Sequence, residues 1–198
     1  MEKLVLSVWL TVVAGSLASC ADDYQVAVPP GFPALPVPAG NMLTEARVEL
    51  GKRLFYDKQV SRTGEVACAS CHLPDHAFSD PRQFSLGVEG RVGGRNAPSI
   101  VNLAYNTSFF WDGGAPTLEQ QVIGPIINPL EMDMTMGEVV ERLATDPTYV
   151  SSFEDAYGTE PIPGSLTKAV ASFMRTIVSG DSRYDRYQQG DHAALDDS

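Results

Sequence analysis

Cysteine and histidine are scarce, three of each in 198 residues. That excludes a small fold stapled by many disulfides, and with no second CxxC a four-cysteine zinc site cannot be assembled. Basic residues are also few: 14 Lys and Arg against 25 Asp and Glu give a formal net charge of -11. They form no run that could cradle phosphates, which argues against a nucleic-acid partner. Apolar runs are too short to span a bilayer, and no strand-type alternation competes with the helical patterns.

What is present is Cys68-Ala69-Ser70-Cys71-His72. Two thiols separated by two residues can add to the two vinyl groups of one haem, while the adjoining imidazole lies close enough to bind the iron. We read a covalent haem c attached through Cys68 and Cys71, with His72 as iron ligand. A redox dithiol or half a zinc site shares the CxxC, but no second CxxC stands in this chain to complete a four-cysteine site.

The third cysteine closes an export segment. Lys3, the apolar run Leu4 to Val13 and Leu17-Ala18-Ser19-Cys20 read as a signal peptide over residues 1–20. Its ending resembles the lipobox of bacterial lipoproteins, which makes Cys20 the expected lipidation site. Thioether attachment of haem is extracytoplasmic, so the expected location is periplasmic, with membrane contact only through the lipid anchor.

Residues 21–43 hold Pro29, Pro30, Pro33, Pro36 and Pro38, too dense for a helix, and are expected to be a semi-rigid tether. Residues 44–190 then read as one all-α domain. Thr44 caps a first helix with Val48, Leu50, Leu54 and Phe55 on its apolar sector. Residues 57–116 show little periodicity and are expected to be irregular loops wrapped around the prosthetic group. Thr117 opens a short helix that Gly124-Pro125 should end, and Thr135 with Glu138 boxes the next, with Val139, Val140 and Leu143 on its buried face. Asp146-Pro147 starts a helix bearing Tyr149, Phe153 and Tyr157 and stopped by Gly158, and Ser165 caps the stripe Leu166, Val170, Phe173 and Ile177. The acidic residues 191–198 read as the start of a linker.

Taken together, Leu50 to Asp57, the haem motif, Ala77-Phe78-Ser79-Asp80, Gly94-Arg95-Asn96-Ala97-Pro98-Ser99, Phe110-Trp111-Asp112-Gly113, and Gln121 with Gly124-Pro125, Asn128-Pro129 and Glu131-Met132 resemble the N-terminal half of bacterial di-haem cytochrome c peroxidases and related MauG-type enzymes. The likeness runs over roughly residues 36–187 and implies a cytochrome c-like fold. It implies hydrogen peroxide as substrate at the first haem and a second haem collecting electrons from a small donor, a cytochrome c or a cupredoxin; it also admits a homodimer. By the same resemblance His72 is the proximal ligand and Glu131 the distal carboxylate. A carboxylate within reach of both peroxide oxygens can take the proton from one and deliver it to the other. Gln121 matches a distal-pocket glutamine, Trp111 a tryptophan between the two haems, and Asn96 a ligand of an interface calcium. Read without the resemblance, Glu131 is a loop carboxylate or helix cap, Gln121 a helix residue, Trp111 a core aromatic and Asn96 a turn residue.

Met132, Met134 and Met136 are candidate sixth ligands by chemistry, but we expect them to pack; His76 and His192 are poorly placed for that role. Two departures from the family pattern carry meaning. Residues 87–94 contain no histidine, where many of these peroxidases have one that blocks the iron until the other haem is reduced. The expectation is a first haem whose distal side is open, or holds only water, without reductive activation. The second departure is that no second CxxCH occurs before Ser198, so the chain is expected to be part of a longer protein. The expected activity is the peroxide-reducing half of a di-haem peroxidase; the alternatives are a MauG-type oxidase and a mono-haem electron carrier without catalysis.

Overall fold

The computed structural model describes residues 24–195. Six α-helices carry the fold: α1 (Glu45–Tyr56), α2 (Leu118–Ile127), α3 (Met136–Ala144), α4 (Pro147–Tyr157), α5 (Pro163–Thr176) and α6 (Arg183–Gln188). Among the described residues there is no strand, only three isolated bridges, Leu73 with Ser79, Leu86 with Val92 and Phe109 with Ala115.

Helix starts are set by side chains that satisfy the first free N–H groups. Thr44 Oγ1 accepts from Arg47 N, and Asp146 Oδ1 accepts from Thr148 N ahead of Pro147. At α3 Thr135 and Glu138 exchange bonds in a full capping box, and Gly158 closes α4 at φ 65°. The core lies where α1, α4 and α5 meet, with Val48, Leu54, Tyr149, Phe153 and Leu166 buried. Each such side chain contributes about 1.5–3 kcal/mol by leaving water. At the α1–α5 crossing Gly51 leaves no room for a side chain: a Cβ there would lie 1.9 Å from Ala169 O.

Three readings of the helices are corrected. Helix α2 does not end at Gly124-Pro125 but continues to Ile127, because Pro125 forfeits only the bond to the carbonyl of Gln121 while Asn128 N–H still reaches Gly124 O. Helix α5 begins at Pro163, with Ser165 in its first turn and Oγ accepting from Ile162 N; Ile177 falls just past its end. Helix α6 was not expected, although Ser182 and Asp185 form a capping box that marks it. The described part of the proline segment holds no α-helix and packs against the domain. Phe32 meets Tyr105 edge-on at 5.5 Å, Tyr105 Oη donates to Pro33 O, and Gln189 Nε2 donates to Pro30 O. The signal peptide and Cys20 lie outside the described residues.

Candidate haem site

The CxxCH segment folds as a tight turn. Cys71 N–H and His72 N–H both donate to Cys68 O, at 3.2 and 2.9 Å, and Ser70 Oγ accepts from Ala67 N, so both thiols and the imidazole come off one loop of backbone. The chain then reverses through Ala77 and Phe78, both left-handed at φ 52° and 54°. That conformation is unfavourable for a residue with a bulky side chain. Here it aims the Phe78 carbonyl at His72, whose Nδ1 lies 2.9 Å from Phe78 O. A carbonyl can only accept, so Nδ1 carries the proton and Nε2 keeps its lone pair for a metal. Burial lowers the His72 pKa, outweighing the Phe78 and Pro98 carbonyls that favour the cation, and this keeps the ring a neutral ligand.

Both cysteines and His72 open into a cavity of about 520 Å³ whose walls include Ile100, Phe109 and Val122. Burial pushes the Cys68 thiol up to about 12 and raises Cys71 as well. Thiols held this way stay un-ionised until a partner engages them. A roomy apolar cavity, two neutral thiols on its wall and an imidazole held with Nε2 free fit a haem c bound through Cys68, Cys71 and His72.

Glu131, Gln121, Trp111 and Asn96 line the same cavity. Glu131 sits in the turn between α2 and α3, where Asn128 Nδ2 donates to its Oε1 at 2.7 Å and Asn128 O accepts from its N–H. Burial raises the Glu131 pKa against the smaller lowering effect of Asn128. Gln121 projects from α2. Trp111 is not a core aromatic: it is 64% exposed at the cavity rim, with Nε1 donating to Asn96 O at 2.9 Å. The adjoining Asp112 accepts from Arg95 at 2.8 Å, so residues 95–96 hold the Trp111 loop at two points. The Asn96 amide nitrogen donates to Asp80 O and Arg82 O, which joins two loops at the cavity edge.

Met132 and Met134 are buried in the core, and Met132 also faces the cavity. His76 lies exposed in a 3-10 turn, and the His192 ring rests on Tyr187. Sequence reasoning did not assign roles to Phe78 O, which orients His72, or to Asn128, which holds Glu131. The i, i+3 spacing of Asn128 and Glu131 was the available signal for the second.

Residues 45–193 match the family model of the di-haem cytochrome c peroxidases. The chain belongs to this family. Its fold is the all-α, cytochrome c-like domain, and the family's cofactor is covalently bound haem c. Over 82% of its length the chain is 43% identical to the methylamine utilization protein MauG of Methylorubrum extorquens, and it covers 46% of that protein. It is 35% identical to the cytochrome c peroxidase Ccp of Escherichia coli over 82% of the chain and 35% of that protein. A crystal structure of a MauG-like protein associated with microbial copper homeostasis superposes with a TM-score of 0.77 at 35% identity, over 84% of this chain and 50% of that one. The diheme peroxidase BthA from Burkholderia thailandensis does so at 0.67 and 25%, over 76% and 44%. The chain thus spans about half, or less, of the length of these relatives.

Proposed function

We propose that this chain is the peroxide-reducing half of a di-haem peroxidase, converting hydrogen peroxide, two protons and two electrons into two waters. One observation carries the reading: a half-buried carboxylate, Glu131, faces the same cavity as an imidazole whose Nε2 is kept free. Haem bound there supplies the redox-active iron. The protein's part is to move the proton. Glu131 accepts it from one peroxide oxygen and returns it to the other, Gln121 orients the substrate by hydrogen bonding, and the apolar walls exclude bulk water. Electrons enter past Trp111 from the second haem, supplied by a cytochrome c or a cupredoxin in the periplasm, where Cys20 anchors the chain by lipid.

Residues 87–94 offer no histidine to the cavity, which supports a site that works without prior reduction. Asn96 keeps Oδ1 for a calcium ion shared with the second half. MauG-type oxidation of another substrate is the second reading, favoured by the 43% identity to a MauG. The test uses the complete protein with its haems. A ferric spectrum with an open or water-bound iron that changes on adding peroxide is expected, as is a loss of about 10²–10⁴-fold in peroxide turnover for Glu131→Gln. A methionine-ligated low-spin spectrum indifferent to peroxide would make the protein an electron carrier instead.

A further inference from the structure

The turn that carries Glu131 is fastened to the neighbouring loop by a four-charge network. The loop is closed at its base, where Gly93 N–H donates to Ser85 O at 2.9 Å. From it, Arg91 Nη1 donates to Pro129 O at 2.7 Å and to Asp133 Oδ2 at 2.8 Å, while Nη2 donates to Glu89 at 2.6 Å. Arg62 completes the network: its Nε donates to the same Asp133 oxygen at 2.8 Å and its Nη2 lies 3.0 Å from Glu89. Backbone bonds reinforce the grip, with Val88 N–H donating to Glu131 O at 2.8 Å and Arg62 N–H to Met132 O at 2.9 Å. Gly87 presses so close that a Cβ on it would stand 2.1 Å from Leu130 O and 2.5 Å from Glu131 O.

The carbonyls of residues 129, 131 and 132 and the side chain of Asp133 are therefore all held. Asp133 needs that hold, since it adopts φ 54°. Single exposed ion pairs contribute little to stability. Here the arms converge on one turn, so their joint effect is on where that turn sits. A proton-transferring carboxylate is sensitive to position, and a shift of about 1 Å can cost about 100-fold in rate.

We infer that Arg91, supported by Arg62, is a positioning residue for Glu131: loop 85–93 is an electrostatic clamp that keeps turn 128–133 in working geometry before any substrate or electron arrives. The inference rests on the catalytic role proposed for Glu131. Its test is a double-mutant cycle in the complete haem-loaded protein, reading kcat and KM for hydrogen peroxide. Arg91→Ala lowers kcat by about 10- to 100-fold, and Arg91→Lys restores part of it, because an ammonium cannot reproduce the forked contacts. Glu89→Gln, a milder change that leaves the Arg91 contacts to the turn in place, gives a smaller loss. In a Glu131→Gln background neither change lowers the rate further. Equal losses in both backgrounds would make Arg91 a general structural residue and overturn the clamp. Full turnover by Arg91→Ala, alongside a crippled Glu131→Gln, overturns the clamp alone. Full turnover by Glu131→Gln overturns the clamp and the reading beneath it.

Discussion

Arg175 on α5 grips Glu119 on α2 with both guanidinium nitrogens, Nη1 at 2.8 Å from Oε1 and Nη2 at 3.0 Å from Oε2. The side chains are only 7% and 20% exposed, and Asn41 donates to the same carboxylate at 2.9 Å. Breaking such a pair leaves a charge buried without its partner. Arg175→Ala should lower the unfolding free energy by about 3–5 kcal/mol, measured by denaturant unfolding.

The same pair makes stability depend on acid. Burial pushes the Glu119 carboxyl up, but the bonds from Arg175 and Asn41 outweigh it and hold its pKa below the ordinary range. A depressed carboxylate pKa gives stability that is fully present above the unfolded value, about 4.3, and lost as pH falls through the folded value. Thermal unfolding of the native chain should therefore decline more steeply below about pH 4 than that of Glu119→Gln. Parallel declines would contradict this.

Gly51→Ala should be among the most damaging small substitutions, because the new methyl would meet the Ala169 carbonyl, which is helix backbone and cannot swing aside. A loss of about 3 kcal/mol or more is expected. Gly137→Ala, with nothing closer than 3.9 Å, is the control and should be neutral or better.

If Glu131 is the proton acceptor proposed above, peroxide turnover should fall as pH drops through a value above the ordinary carboxylate range, since the group must be ionised to accept a proton and burial raises its pKa. Asn128→Leu removes the one donor that opposes burial. Its acid limb should move to higher pH. A limb that stays in place would show that another group controls the rate.

Trp111→Ala should leave stability within about 0.5 kcal/mol, because the ring stands mostly in water and gives up one bond to Asn96 O. If electrons pass it, stopped-flow transfer between the two haems in the complete protein should slow while unfolding is unchanged.

Most helix starts were readable because their determinants are local. Thr44, Thr135 and Asp146 lie within three residues of the N–H groups they cap. The end of α2 was misread because one lost bond at Pro125 is a small cost once Val122 and Ile126 are buried. That Cys68, Cys71 and His72 come together was legible for a similar reason, since both thiols and the imidazole fall within five consecutive positions. That Glu131, Gln121 and Trp111 line the same cavity was foreshadowed only by the family resemblance, and their roles rest on it. The clamp was not legible, because Asp133 meets partners 42 and 71 residues away and no local pattern announces such pairs.

The strap formed by residues 24–43 changes where this unit begins. A Cβ on Gly180 would stand 2.4 Å from the Pro29 ring, and Asn41 is buried against the Lys168 carbonyl, so chain with no α-helix forms part of the wall. Trimming the protein back to the first helix would strip away that cladding and leave Tyr105 and the end of α5 wet. A fragment made for separate expression should therefore keep residues 24–43 along with the helices.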